Sequence, residues 1–144
     1  MKAREIMTEN PRVVTPDTSV QEAAQLMQSE DTGVLPVVEA ANSRKLVGVL
    51  TDRDIAIRVV AEGRSGATVR DVMSPNVRSC RENDNVQDVM RVMADEQVRR
   101  VPIVDDAGTI VGIVSQADIV IEGPDGRAER TIEQISQPGG SHSH

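Results

Sequence analysis

Two copies of a short polar motif contain the residues whose types and spacing could do chemistry. Thr51 and Asp54 stand three positions apart directly after an apolar segment (the first motif), and Ser115 and Asp118 repeat the arrangement (the second motif). A hydroxyl followed three residues later by an acid is a capping box, in which both side chains bond to the backbone where a helix begins. Taken alone, either motif is best interpreted as such a cap, which stabilises a helix by about 1 kcal/mol.

An adjacent pair of arginines, Arg99 and Arg100, adds positive charge between the two motifs. Guanidinium groups could make bidentate contacts to a phosphate. The alternative is a solvated pair or ordinary surface ion pairs, which contribute little stability. Asp52 and Asp54 are too few carboxylates for an all-protein magnesium cage, so we predict no metal site.

The residue inventory argues against an enzyme. Both histidines, His142 and His144, lie in a Gly/Ser-rich end segment that is typical of a disordered tail. The rest of the chain therefore lacks the histidine that a Ser-His-Asp triad and most zinc sites use. The chain also has no G-x-x-x-x-G-K-[ST] phosphate loop. We predict no catalytic activity.

The motifs belong to an internal repeat that covers almost the whole chain. An offset of 66 residues matches Met7 with Met73, Val20 with Val86, Met27 with Met93 and Pro36 with Pro102. An offset of 64 aligns residues 48–54 with 112–118. A fixed internal period indicates the architecture before any single residue does. A unit of about 60 residues is marginally stable alone, which favours two copies packed as one pair.

Each copy carries the same order of predicted elements. The first has a short strand at 12–15, a helix opened by Ser19, strands at 34–38 and 45–50, and a helix at 52–61. The second has Cys80 in its entering strand, a helix opened by Asn85, strands at 98–104 and 109–114, and a helix from Ser115. The first helix of each copy has one apolar face, formed by Val20, Ala23, Ala24 and Met27 and by Val86, Val89, Met90 and Met93. Pro36 predicts a bulge or an edge strand.

This β-α-β-β-α order, twice, predicts an α/β (α+β) fold. We expect two small mixed sheets of three strands, each covered by two helices, with the repeats related by a pseudo-two-fold axis. We place repeat 1 at 1–66 and repeat 2 at 67–124. A flexible tail is predicted at 125–144, and its Gly/Ser/His end resembles an expression remnant.

Composition and charge argue against nucleic acid and membranes as binding partners. The chain of 144 residues has no Phe, Tyr or Trp and a net charge of −7, which argues against nucleic acid binding by base stacking or a basic surface. No apolar run approaches the roughly 20 residues of a membrane span. The single cysteine, Cys80, is interpreted as a small buried hydrophobe. With no apolar leader at the N-terminus, we expect a cytoplasmic protein.

Together these motifs resemble a CBS domain pair (a Bateman module) over residues 1 to about 123. The resemblance rests on Met-Thr and Met-Ser at 7–8 and 73–74, on Pro-containing apolar strands at 35–38 and 101–104, and on G-h-h-[ST]-x-x-D at 48–54 and 112–118. The chain is most similar to small stand-alone prokaryotic CBS pair proteins. The resemblance implies a regulatory module whose commonest ligands are AMP, ADP and ATP. S-adenosylmethionine or a dinucleotide are further ligands of the family, and some members bind none.

The resemblance also implies two nucleotide-binding clefts, each shared between the repeats. One would gather Thr51, Asp54, Arg99, Arg100 and Val101; the other would gather Ser115, Asp118, Thr15, Val20, Val34 and Leu35. In such a cleft the aspartate accepts hydrogen bonds from the ribose, the hydroxyl and free N–H groups hold a phosphate, and apolar side chains enclose the base.

The arginine pair predicts that the first of these clefts takes the phosphorylated ligand. The second is then expected to bind a nucleoside or a less charged ligand, or to stay empty. Arg81 stands where the second repeat should match Thr15, which removes a hydroxyl from the first cleft.

We therefore predict a non-enzymatic sensor of adenine nucleotides that requires no cofactor, forms a homodimer and signals to an unidentified partner protein. The alternatives are a ligand-free dimerisation or protein-interaction module, and a binder of S-adenosylmethionine or NAD. The sequence leaves open the ligand, its stoichiometry, the partner and the orientation of the dimer.

Overall fold

The computed structural model describes residues 1–122, so the predicted tail at 125–144 lies outside the described residues. In chain order the elements are α1 (Ala3–Ile6), β1 (Thr8–Glu9), α2 (Val20–Glu30), β2 (Val34–Ala40), β3 (Ser43–Thr51), α3 (Asp52–Ile55), a π-helical segment (Ala56–Val60), α4 (Val69–Val72), β4 (Ser74–Pro75), β5 (Cys80–Arg81), α5 (Val86–Glu96), β6 (Arg100–Val104), β7 (Ile110–Ser115) and α6 (Gln116–Glu122). These elements form two compact units. Of the described residues, the first-repeat unit contains 11–77 and 108–110, and the second-repeat unit contains 1–10, 78–107 and 111–122.

The first-repeat unit is built on a three-stranded sheet in the order β2-β3-β4. Pro36 lies in β2 opposite Val49, with register shifts on either side of Val38. β2 is an outer strand of the three, one of the two positions predicted for Pro36, and on its free side the Pro36 carbonyl accepts the Val14 N–H, so that no N–H of Pro36 is needed. The predicted strand at 12–15 is reduced to one parallel bridge between Val14 and Val37.

The second-repeat unit has four strands, in the order β1-β7-β6-β5. The prediction of three strands is wrong here because Thr8 and Glu9 add a strand that pairs antiparallel with Ile113 and Gly112. A strand of two exposed residues has no periodicity to detect. The sheet is mixed, as predicted, since β5 runs parallel to β6.

The short segment that begins each repeat packs into the core of the unit named for the other repeat. Helix α1, at the start of repeat 1, buries Ala3 and Ile6 in the core of the second-repeat unit. Helix α4, at the start of repeat 2, buries Val69 and Val72 in the core of the first-repeat unit. The compact units therefore differ from two consecutive stretches of sequence.

The two long helices bury most of the predicted apolar faces; Ala24, Val86 and Met90 are half-buried, and Val92 is buried without having been predicted. Helix α2 buries Val20, Ala23 and Met27, and the Ser19 hydroxyl caps it by accepting from the Glu22 N–H at 3.0 Å. Helix α5 buries Val89, Val92 and Met93. Asn85 is at its N-cap position as predicted, but its side chain makes no capping bond. Among the helices of residues 1–122, none has the length and apolar character that a bilayer span requires.

Candidate functional site

The first motif forms a complete cap where β3 passes into α3. The Asp54 carboxylate (Oδ2) accepts a hydrogen bond from the Thr51 N–H at 3.0 Å, and Thr51 Oγ1 accepts from the Asp54 N–H at 3.1 Å. The capping interpretation is therefore confirmed. A carboxylate has two oxygens and about four lone-pair positions, so the cap uses only part of its acceptor capacity.

The second motif forms the same arrangement between β7 and α6. Asp118 Oδ2 accepts from the Ser115 N–H at 2.8 Å, and Ser115 Oγ accepts from the Asp118 N–H at 3.3 Å. All four side chains of the two motifs are half-buried. In both units a hydroxyl and a carboxylate are thus held in fixed positions and remain accessible.

A neighbouring strand approaches each motif through an equivalent backbone hydrogen bond. The Asp52 N–H donates to the Gly33 carbonyl at 2.9 Å, and Val34 is registered opposite Thr51. In the other unit the Gln116 N–H donates to the Arg99 carbonyl at 2.8 Å. Equivalent backbone positions, each beside the motif of its own unit, are therefore occupied by Gly33–Val34 in one unit and by Arg99–Arg100 in the other.

Arg99 carries a polar group for which residues 1–122 provide no hydrogen-bond partner. Its Nε is buried and has no hydrogen-bond acceptor among the described residues, although the side chain as a whole is half-buried. Leaving a buried donor unpaired costs about 1–3 kcal/mol. An acceptor that the described residues do not supply would remove that cost.

Three of the predicted apolar site residues lie in the cores instead of on an accessible surface. Val20 and Leu35 belong to the core of the first-repeat unit, and Val101 belongs to that of the second-repeat unit. Val34 remains half-buried beside the first motif. The Thr15 hydroxyl lies 3.3 Å from the Thr18 hydroxyl, in the segment whose Val14 pairs with β2.

The predicted site residues separate by unit. Thr15, Val20, Val34, Leu35, Thr51 and Asp54 lie in the first-repeat unit, and Arg99, Arg100, Val101, Ser115 and Asp118 lie in the second-repeat unit. In the second-repeat unit the Arg99 carbonyl accepts the Gln116 N–H, beside the second motif. The predicted grouping of the arginine side chains with the first motif stays a prediction. Each predicted cleft draws on both units, and such shared clefts stay a prediction.

A shallow groove in the second-repeat unit was not anticipated from the sequence. It is lined by Arg81, Glu82, Asn83, Asp84, Asp105, Asp106 and Ala107. The Arg81 guanidinium forms an exposed ion pair with Asp106 at 3.1 Å, which contributes little stability. Within residues 1–122, no group of three or more His, Cys, Asp or Glu side chains is arranged to hold a metal ion.

Comparison with known proteins connects this geometry to one family. The CBS domain model matches residues 3–61 and 69–124. The CBS domain-containing protein YhcV of Bacillus subtilis is 43% identical over 119 residues, which cover 82% of this chain and 82% of that protein.

Solved structures show the same fold. Hypoxic Response Protein I with two coordinated zinc ions superposes with a TM-score of 0.79 at 35% identity, covering 86% of this chain and all of that one. CBSX2 in complex with AMP gives 0.72 at 29% identity, covering 92% and 98%. The CBS domain pair of MJ0100 in complex with 5′-methylthioadenosine and S-adenosyl-L-methionine gives 0.73 at 30% identity, covering 84% and 94%. The protein therefore belongs to the CBS domain family and contains the domain twice, as a tandem pair.

Proposed function

We propose that this protein is a non-enzymatic regulatory module that binds an adenosine compound at each copy of its hydroxyl–carboxylate motif. The observation that carries the proposal is the duplicated geometry, in which a half-buried hydroxyl and carboxylate are fixed beside a strand end in both units. The adenosine-containing ligands of CBSX2 and MJ0100 support this ligand class.

The chemistry of the site suits a nucleoside. The carboxylate oxygen that does not cap the helix can accept hydrogen bonds from the ribose hydroxyls of the ligand. Because the chain has no aromatic residue, the base would be held by apolar contact and exclusion of water, with Val34 as the accessible side chain in the first-repeat unit. No cofactor is required for this binding.

Regulation requires that the ligand favour one conformation over another by its differential affinity. We propose that a cytoplasmic partner protein reads this difference. We further propose that the module acts as a homodimer, since Ile57 and Val60 expose 51% and 73% of their surface on one short π-helical segment.

Isothermal titration calorimetry with adenosine and AMP tests the proposal on Asp54→Asn and Asp118→Asn. Asparagine retains an acceptor for the capping bond but removes the charge, so the helix start is preserved while the ribose loses a charged acceptor. Each variant is expected to weaken binding at its own motif by about tenfold or more. Asp106→Asn, at a carboxylate 94% exposed, is the matched control and should bind like the unsubstituted protein.

Affinities that are the same in both variants and in the control would contradict the proposal. A second candidate, a ligand-free interaction module, is favoured by the burial of Val20, Leu35 and Val101 in the protein's own cores. It would be supported if adenosine, AMP, ATP, NAD and S-adenosylmethionine all gave no heat of binding. The absence of Trp and Tyr makes absorbance near 260 nm an independent readout of bound adenine.

A further inference from the structure

We infer that Met7 is a site of reversible oxidation: a hydroperoxide converts its thioether to the sulfoxide, and the sulfoxide weakens the pairing of strand β1 with strand β7. Met7 lies between α1 and β1, in the second-repeat unit, and its N–H donates to the Ala3 carbonyl at 3.0 Å. This modification goes beyond the proposed function and requires no nucleotide.

The Met7 thioether packs against the backbone of β7 at Gly112. A Cβ on Gly112 would overlap Met7 Sδ and lie 2.7 Å from Met7 Cγ. The thioether therefore occupies the place that a side chain of residue 112 would fill, and that side of the sulfur has no space for an added oxygen. Because β1 consists of two residues, paired with Ile113 and Gly112, few hydrogen bonds oppose its release.

Met7 is also among the oxidisable residues of this chain that a peroxide can reach. The chain has no Trp or Tyr, and its single thiol, on Cys80, is buried. Met27 and Met93 are buried as well, whereas Met7 is half-buried at the margin of its core. Because a peroxide must contact the sulfur to oxidise it, Met7 should react well before these two methionines.

The reaction is a two-electron oxygen transfer. A sulfur lone pair attacks one oxygen of the hydroperoxide, the S–O bond forms, the O–O bond breaks, and the departing oxygen takes the proton and leaves as water or an alcohol. The sulfur is oxidised and the peroxide is reduced. A dithiol reverses the step through a methionine sulfoxide reductase, which returns the thioether and yields water and a disulfide. The sulfoxide is polar and chiral, so it disrupts packing that suits the apolar, flexible thioether.

Met73 stands at the equivalent position of the second repeat and provides an internal comparison. It lies between α4 and β4, beside Gly48. A Cβ on Gly48 would lie 3.4 Å from Met73 Sδ, and its nearest neighbour would be the Ser74 carbonyl oxygen at 2.7 Å. The Met73 sulfur is thus packed less tightly against its glycine than the Met7 sulfur, and oxidation should loosen β1 more than β4.

Hydrogen exchange of the full chain, measured before and after treatment with hydrogen peroxide, tests the role of Met7. Mass spectrometry of the peptides should show one added oxygen on Met7 while Met27 and Met93 remain reduced. The backbone amides of 8–9 and 112–113 should then exchange at least about tenfold faster, because the strand pair opens locally. Treatment with methionine sulfoxide reductase and dithiothreitol should restore slow exchange.

Two pairs of variants separate Met7 from the other methionines. Met7→Leu conserves the apolar volume without an oxidisable sulfur, so its exchange should stay slow after peroxide, whereas the matched control Met73→Leu should remain sensitive. Met7→Gln imitates the polar sulfoxide and should accelerate exchange without any peroxide, which provides a second test if Met7→Leu does not fold. Met73→Gln should have a smaller effect on residues 8–9 and 112–113.

Oxidation of Met7 no faster than that of Met93 would overturn the inference, and so would an oxidised Met7 with unchanged exchange. Equal sensitivity of Met7→Leu and Met73→Leu to peroxide would show that another methionine is responsible. Exchange that stays fast after complete reduction of the sulfoxide would exclude a reversible site.

Discussion

At the residue scale, the two aspartates of the motifs serve the fold and remain available to a ligand. One oxygen of each carboxylate accepts a hydrogen bond from the N–H of the hydroxyl residue three positions earlier, at 3.0 Å for Asp54 and 2.8 Å for Asp118. Because the carboxylate is held by this bond, it loses little rotamer freedom when a ligand arrives, which favours binding. A cap and a binding group are therefore compatible in one side chain.

Cys80 is a reactive type of side chain in surroundings that keep it unreactive. The thiol is 4% exposed, and burial, followed by the nearby carboxylates of Asp84 and Asp88, raises its pKa from 9.0 to about 11. At pH 8 the thiolate is therefore rarer in the folded protein than in the unfolded chain, and the thiolate is the form that reacts.

We predict that iodoacetamide alkylates folded Cys80 at pH 8 at least about a hundredfold more slowly than it alkylates the urea-unfolded chain, because the pKa is raised by about two units. The rate should rise as the pH increases towards 11. Mass spectrometry of samples quenched over time measures it, and the denatured chain at the same pH is the control. Equal rates in the two states would contradict the assigned burial.

At the element scale, the glycine of each G-h-h-[ST] strand is required for strand packing. A Cβ on Gly48 would lie 2.7 Å from the Ser74 carbonyl oxygen in β4. A Cβ on Gly112 would overlap the Met7 side chain and approach the Thr8 carbonyl oxygen, in β1, at 2.9 Å. In both units the exchanged segment can pair with the strand only because this position has no side chain.

We predict that Gly48→Ala and Gly112→Ala each lower the free energy of unfolding by about 1–3 kcal/mol, the usual cost of overpacking. The atom nearest the new Cβ is a backbone oxygen at position 48 and a side-chain atom at position 112. A second substitution that shortens the neighbouring side chain should therefore restore stability mainly at position 112. Met7→Ala should recover part of the loss in Gly112→Ala, since two of the three atoms nearest the new Cβ belong to Met7.

Urea unfolding of the single and double variants, read as double-mutant cycles, checks this prediction. Met73→Ala in the Gly48→Ala background is the matched control, and it should recover little because the nearest atom there is a backbone oxygen. Additive losses in both cycles would show that the glycines matter for another reason.

At the scale of the whole molecule, the proposed homodimer rests on the exposed apolar surface of residues 56–60. Ile57 and Val60 are the most exposed large apolar side chains of the described residues apart from Met1. Both lie in the π-helical segment that interrupts the helix predicted at 52–61. A second copy of the chain could cover this surface by two-fold symmetry.

We predict that the protein sediments as a dimer and that Val60→Glu weakens dimerisation by about tenfold or more, because it would place a charge in a desolvated contact. Sedimentation velocity over a range of concentrations measures the effect. Gln25→Glu, which adds the same charge on the exposed side of α2, should leave the dimer intact. A monomer at every concentration, or equal behaviour of the two variants, would disprove the assignment.

Much of the fold was predictable because repetition and periodicity are local signals. The stripe through Val20, Ala23 and Met27 depends only on the pitch of a helix, and the capping function of Thr51–Asp54 depends only on residues three apart. The elements that sequence reasoning missed, α1, β1, α4 and β4, have two to four residues each. Segments that short have no period of their own and form only through pairing with distant residues.

The sequence by itself determined the duplicated α/β fold, the two hydroxyl–carboxylate motifs and the CBS family, because each is recorded in spacings of a few residues or in one fixed offset. Only the tertiary structure decided which unit the leading segments join and which strand end lies beside each motif. It also decided that Val20, Leu35 and Val101 fill the cores. These outcomes depend on hydrogen bonds such as that from Gln116 to Arg99, between residues 17 positions apart whose contact no local pattern encodes.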